Sequence, residues 1–290
     1  MNNRVSAVFY KIVFIIFICL LGVYPSNLIA GRVVSDDPLV FAAHIKLGNG
    51  SYGSGFYVND GKYLYLVTAK HVLHKIINNA ISNTLIDNNA VIECYSRNVH
   101  SKITIYAKLD ILDSATHIKR HPVKDIAIIR IASLGGNKIL VNNGVKIQND
   151  NNAILTSTPI TMLRQYDNVS IGNDIYVFGF PASIGIQDFP QIEYDKPLLK
   201  KGILAGKNDK AKTLILDCFI YWGNSGGPVL EVDEETFVSK SFHIIGIVTQ
   251  YVPLFDRWEN VQRQSKLDVS NSGYSVAEPV DDIIYLMQNW

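Results

Sequence analysis

Cysteine is scarce in this chain: three residues in 290, too few for a disulfide-stapled scaffold. Charge of a dominant sign is absent as well. Lys plus Arg is 27 and Asp plus Glu is 26, a net charge of +1, so there is no bulk electrostatic reason to bind nucleic acid or an acidic membrane surface. Charged residues make up only 18% of the chain, below the roughly 25% of an average soluble domain. Hydrophobic residues at 48% exclude intrinsic disorder as a description of the whole. There is no internal repeat, low-complexity tract or long charge block. His117 and His121 have a spacing seen in zinc sites, but neither Cys-x-x-Cys nor His-Glu-x-x-His accompanies them. A surface loop is the simpler reading, and no metal or cofactor is expected.

One long apolar run exists, and it lies at the N-terminus. Ile12 to Tyr24 carries no charge, and residues 1–30 hold Arg4 and Lys11 but no acidic residue. Thirteen residues are too short for a membrane-spanning helix, which takes about 17–25. A basic start, a short apolar stretch and small residues beyond it describe a secretory signal over 1–30, with Ala30–Gly31 as the expected cleavage point. The alternative is an uncleaved anchor that borrows Val5–Tyr10, across the interrupting Lys11. The first reading expects a secreted or periplasmic protein; the second leaves membrane contact through the N-terminal segment alone. Removing 1–30 leaves 260 of the 290 residues and changes the net charge from +1 to −1. Cys94 and Cys218 then remain, either as a pair or as two buried thiols.

Beyond the leader, apolar runs are short and bounded by Gly, Asn, Asp and Pro. Tyr63–Thr68, Ile103–Leu109, Ile175–Phe180, Thr213–Cys218 and His243–Gln250 are examples. Many short runs rich in Val, Ile, Tyr and Phe predict an all-β barrel or sandwich. Asn59-Asp60-Gly61 predicts a hairpin between Phe56–Val58 and Tyr63–Val67. The end of the chain differs: Ile283, Ile284, Leu286 and Met287 have helical spacing behind Asp281 and Asp282, which suit a helix N-terminus.

Three local patterns carry chemistry. Gly223-Asn224-Ser225-Gly226-Gly227-Pro228 is either a plain turn or a tight loop whose backbone N–H groups converge beside a serine hydroxyl. Val67-Thr68-Ala69-Lys70-His71 places a histidine at the mouth of a strand, where a structural role is common. Asp125-Ile-Ala-Ile128 opens an apolar strand with one carboxylate. A serine hydroxyl needs a base within hydrogen-bond reach, and the base needs a carboxylate to fix its tautomer. Ser225, His71 and Asp125 supply these three parts. His74, one turn after His71, reads as a helix-surface residue, Asp110 and Asp113 are rival carboxylates outside that strand context, and Lys200-Lys201 reads as a solvated turn.

Together the motifs resemble the chymotrypsin-like (trypsin-like) serine peptidases, in particular their compact bacterial-type branch. The matching residues run in family order: Gly53-Ser-Gly-Phe56, Thr68-Ala-Lys-His71, Asp125-Ile-Ala-Ile128, Val177-Phe-Gly-Phe-Pro181, Gly223-Asn-Ser-Gly-Gly-Pro228, Gly246-Ile-Val-Thr249 and Ser272-Gly-Tyr-Ser-Val-Ala277. The resemblance implies two six-stranded antiparallel β-barrels with a short C-terminal helix. The first barrel, within 31–150, would carry His71 and Asp125; the second, within 151–290, would carry Ser225. It implies a serine endopeptidase that acts on protein or peptide substrates through an acyl-enzyme. Ser225 would be nucleophile, His71 the general base and Asp125 its orienter, with the N–H groups of Gly223 and Ser225 as the oxyanion hole. The pocket would involve Phe219, Ile220, Trp222, Thr249, Gln250, Tyr251 and Gly273, and Thr249 would also support the aspartate. Trp222 would either line the cleft or shield the loop. The alternative on the same fold is a binding protein without catalysis.

The departures sharpen the expectation. Asn224 stands where the trypsin branch has the aspartate that pairs with a freed N-terminal amine, so no such activation step is expected. Phe219 stands where trypsin has its acidic pocket base, which disfavours Arg or Lys beside the scissile bond. Tyr251 stands where many relatives have glycine, and its ring would narrow the pocket, so a small or apolar substrate residue is expected beside the scissile bond. The chain ends at Trp290 just after the helix, so no PDZ module is expected.

Overall fold

The computed structural model describes residues 37–96, 101–135, 138–149, 153–181, 189–234, 240–259 and 265–290. The leader expected at 1–30 lies outside the described residues. From Asp36 to Trp290 the chain forms one compact unit.

In the N-terminal half the strands are β1 (Ala42–Leu47), β2 (Tyr52–Asn59), β3 (Tyr63–Thr68), β4 (His74–Ile77), β5 (Ala80–Leu85), β6 (Asn89–Tyr95), β7 (Lys102–Lys108), β8 (Ile118–Arg120), β9 (Ala127–Gly135), β10 (Lys138–Val141), β11 (Val145–Asn149) and β12 (Thr158–Pro159). Helix α1 (Lys70–Leu73) follows β3, and α2 (Leu109–Ser114) follows β7. The Asp60–Gly61 turn joins β2 to β3, and Asp60 Oδ1 accepts the N–H groups of Lys62 and Tyr63 at 2.8 and 2.7 Å. This is the local reason for that hairpin. The strands run β10-β9-β3-β2-β1-β6-β7-β11, with β12 on β2 and β8 on β9, while β4 and β5 form a separate hairpin.

The C-terminal half comprises β13 (Asp174–Gly179), β14 (Leu198–Asn208), β15 (Thr213–Asp217), β16 (Pro228–Glu234), β17 (Lys240–Glu259), β18 (Ser265–Pro279) and α3 (Val280–Gln288). Its six strands close on one another in the order β13-β14-β15-β18-β17-β16. Side chains from alternate positions fill that ring, Ile175 with Val177 and Leu214 with Leu216, and Ile245 and Val248 join them from β17, whose register shifts in this stretch. Burying each contributes about 1.5–3 kcal/mol.

The expectation of two closed six-stranded barrels needs correcting in the N-terminal half. Its sheet has ten strands in an open order among the described residues. The edges that would meet are already occupied, since β7 pairs with β11 and β9 with β8 and β10. The coarser expectation stands: a mostly β chain ending in a short helix.

That helix buries Val280, Ile283, Leu286 and Met287. Asp281 Oδ2 accepts the N–H of Tyr166 at 2.8 Å. Beyond the helix, Trp290 reaches the other half. The Arg130 guanidinium lies 4.0 Å over its ring, and Tyr65 packs at 5.5 Å between centroids. Cys94 and Cys218 are both free and buried.

Candidate functional site

The buried run Leu64–Val67 anchors β3 in the sheet, and its end sets the position of the single-turn helix that carries His71. Asp125 sits two residues before β9, the strand that pairs with β3. The two meet as a consequence. His71 Nδ1 lies 2.6 Å from Asp125 Oδ2, and the His71 backbone N–H donates to Oδ1 at 2.9 Å. One residue thus occupies both carboxylate oxygens, which fixes the ring against rotation. With an acceptor at Nδ1, the neutral ring carries its hydrogen there and leaves Nε2 as a base.

Lys124 ties this carboxylate loop to the C-terminal half. Its ammonium reaches Glu278 Oε2 at 2.7 Å and the Ala211 and Lys212 carbonyls at 2.5 and 3.0 Å. The rival Asp113 is placed otherwise, paired with Arg120 at 2.6 Å, and Asp110 lies in the first turn of α2. His74 is fully buried rather than on a helix surface; its Nδ1 meets the Lys70 carbonyl at 3.1 Å and its Nε2 accepts from Arg120 at 2.5 Å.

Ser225 lies in the loop before β16. Gly223 (φ 91°) and Gly226 (φ 85°) adopt backbone conformations that L side chains avoid. At Gly226 a Cβ would also stand 2.1 Å from the Ser54 carbonyl oxygen. The Asn224 side chain is fully buried. Its Oδ1 accepts the Tyr221 N–H at 3.0 Å, and the backbone N–H of Asn224 donates to the Tyr221 carbonyl, also at 3.0 Å. Among the described residues no acceptor takes the N–H of Gly223 or of Ser225. Both donors stay available at the cavity that their residues line. Ser225 Oγ donates to the Thr249 carbonyl at 3.5 Å.

His71, Gly223 and Ser225 line one cavity of about 410 Å³. Of the residues expected in the pocket, Ile220, Trp222, Thr249, Gln250 and Tyr251 line it too. Phe219 and Gly273 do not; the Phe219 ring covers Gly273, where a Cβ would come within 3.2 Å of it. Thr249 does not support Asp125. Its hydroxyl donates to the Val276 carbonyl at 3.3 Å, because it projects toward β18 rather than toward β9. Trp222 is 70% exposed and lines the cavity. No carboxylate lines it among the described residues.

Sequence reasoning missed three wall residues, Ser51, Tyr52 and Tyr221. It also quoted Ser54 without giving it a role. Ser54 Oγ donates to the Gly223 carbonyl at 2.6 Å and accepts the Phe180 N–H at 3.0 Å. The Ser54 N–H donates to the Ser225 carbonyl at 2.8 Å, and its own carbonyl accepts from Thr68 Oγ1 at 2.7 Å. The available signal was a serine between two glycines inside a strand.

The profile of the trypsin-like peptidase domain matches residues 53–238, well over half of the chain, and the chain belongs to that family. Its class is the chymotrypsin-like serine peptidases. No curated protein sequence matches it. Similar solved structures include an HtrA-type protease, AlgW, with tripeptide (16% identity, TM-score 0.48, 87% of this chain and 60% of that one). The serine endoprotease from Yersinia pestis aligns at 18% identity and TM-score 0.43, over 87% of this chain and 62% of that one. Deg5 aligns at 15% identity and TM-score 0.47, over 86% and 88%. This chain therefore spans about three fifths of the length of the first two. No helix among the described residues is long and apolar enough to cross a membrane.

Proposed function

We propose that this protein is a serine endopeptidase that works by Ser225-His71-Asp125 catalysis on protein or peptide substrates. The observation that carries the reading is the 2.6 Å contact of Asp125 with Nδ1 of His71, a residue that lines the same cavity as Ser225. In the first step Nε2 of His71 takes the proton from Ser225 Oγ as the oxygen attacks the scissile carbonyl. To do so the Ser225 hydroxyl gives up its 3.5 Å bond to the Thr249 carbonyl. The oxyanion forms against the N–H groups of Gly223 and Ser225. His71 then gives its proton to the leaving amine, and Asp125 stabilises the imidazolium throughout. Water, deprotonated by the same nitrogen, releases the acyl group and restores the serine.

The wall of Ile220, Tyr221, Trp222 and Tyr251, with no carboxylate among the described lining residues, supports an apolar side chain beside the scissile bond. Asn224 is neutral and engaged with Tyr221, so activity does not depend on a freed N-terminal amine. The apolar segment near the N-terminus directs the protein out of the cytoplasm, as a cleaved leader or as an anchor. Hydrolysis of a quenched peptide library by the wild type, Ser225→Ala and His71→Ala tests the assignment. Turnover is expected in the wild type only, with losses of about 10³-fold or more in each variant. Equal turnover in Ser225→Ala overturns it.

A further inference from the structure

β17 does not end at the cavity. Its last pair with β16 is Ile247–Pro228, and Val248 still exchanges backbone bonds with Gly226 and Gly227. Thr249, Gln250 and Tyr251 then line the cavity, and the strand runs on to Glu259. On the far side, β18 leaves β15 at Tyr274. From Pro253 outward the two strands pair only with each other among the described residues. This ribbon leaves large apolar side chains in solvent: Leu254 52%, Phe255 62%, Trp258 62%, Leu267 59% and Val269 55% exposed. A two-stranded ribbon is marginal alone and gains from a third strand. On one face the cross-strand pairs Phe255–Val269 and Arg257–Leu267 stand side by side, and Arg257 has no ion pair among the described residues.

We propose that the outer edge of β17 beyond Tyr251 is an extended substrate-binding edge, which takes a β-strand of the acyl-side segment of the substrate. The inference rests on the peptidase reading above and adds to it a long, sequence-selective acyl-side requirement. The direction follows from the chemistry. His71 protonates the leaving amine, so the leaving segment lies on its side of Ser225. The acyl segment departs the other way, along Thr249–Tyr251. From Tyr251 to Glu259 the strand spans about 27 Å, room for about eight further substrate residues. Main-chain hydrogen bonds to the free edge would provide affinity. Phe255, beside the free edge, would select apolar side chains, with Val269 and Leu267 one strand further back on the same face, and Arg257 would select a carboxylate.

The test uses two fluorogenic peptides that share four acyl-side residues. The longer adds six more, containing Phe, Val and Glu. In the wild type the ratio of kcat/KM, long over short, is expected to be at least tenfold. In Phe255→Asn/Leu267→Asn it is expected to fall to within twofold of one. The ratio is read within each protein, so partial loss of folding cancels. Arg257→Glu should lower the ratio, and replacing Glu by Lys in the long peptide should restore it. A wild-type ratio near one, or a ratio unchanged in the ribbon variant, overturns the proposal. If neither peptide is cleaved in a Ser225-dependent way, the peptidase reading fails by itself. Peptide affinity for Ser225→Ala then decides the ribbon: tighter binding of the long peptide supports it and equal affinity overturns it. A dimer that sedimentation shows to be lost in Phe255→Asn/Leu267→Asn would assign the ribbon to a second copy and overturn it too.

Discussion

Ser54 Oγ lies 2.6 Å from the carbonyl oxygen of Gly223, across 169 positions of sequence. A strand of the N-terminal sheet thereby holds the loop that offers the candidate oxyanion donors. The Ser54 hydroxyl is fully engaged, donating to Gly223 and accepting from Phe180. Removing it leaves a buried carbonyl and a buried N–H without partners, at about 1–3 kcal/mol.

Ser54→Ala is therefore expected to lower kcat by about tenfold to a hundredfold with little change in KM, because ground-state contacts survive while the donors lose their aim. Steady-state kinetics on one peptide, with thermal unfolding alongside, separates this from simple loss of fold. An unchanged kcat would show that the loop holds its shape without Ser54.

Asp125→Asn keeps the size of the side chain and an oxygen able to accept the His71 backbone N–H. It removes the negative charge and favours the wrong tautomer, with hydrogen on Nε2. A fall in kcat of about 10³–10⁴ at neutral pH is expected, and circular dichroism should be unchanged. Activity within tenfold of wild type would exclude Asp125 as the orienting carboxylate.

Acid should destabilise the fold through its buried histidines. His44 is pushed down to about 4, first by burial and then by Lys46; Lys102 adds to the shift, while Glu93 and Asp195 oppose it. Its ring stacks on Phe180 at 4.6 Å, and neither ring nitrogen has a partner among the described residues. His74 is likewise lowered to about 4, by burial and Arg120. For both, the folded pKa lies below the unfolded value near 6.5, so the unfolded chain binds more protons under acid. Their stabilising contribution is complete above pH 6.5 and is lost as pH falls toward 4. His44→Phe keeps the stacking and removes one of the two titrations. Urea unfolding at pH 7 and pH 4.5 should show an acid loss about 2 kcal/mol smaller than in wild type. An equal loss would contradict the account of His44.

Burial raises the Cys94 thiol to about 12 and the Cys218 thiol to about 11. Both should resist iodoacetamide at pH 8 in the native protein and react fully in guanidinium. Peptide mass mapping reads this directly. Labelling of either cysteine in the native state would mean that its burial is transient.

What was legible in the sequence was local. The Asp60–Gly61 turn, the buried run before His71, the glycines around Ser225 and the apolar spacing behind Asp281 each state their geometry within a few residues. Edge strands were not legible. β11 is exposed or half-buried throughout, so no apolar alternation marks it. β14 contains Lys200 and Lys201, read as a turn. In the fold, Lys200 lies 4.0 Å over the Tyr221 ring and Lys201 pairs with Asp174 at 2.6 Å. The ribbon of β17 and β18 has apolar residues on both faces and Pro253 within it, so neither period shows. The Ser54–Gly223 bond and the turn of Thr249 toward Val276 depend on pairings far apart in sequence, which no local pattern encodes.

The central claim is that Ser225 is a nucleophile activated by His71. A fluorophosphonate phosphonylates such an activated serine irreversibly, so labelling followed by peptide mass mapping tests it most directly. One phosphonyl adduct per chain on the peptide containing Ser225 is the expected result, with labelling lost in Ser225→Ala and slowed by about 10³-fold or more in His71→Ala. An adduct on another residue, or equal labelling of wild type and Ser225→Ala, would contradict it.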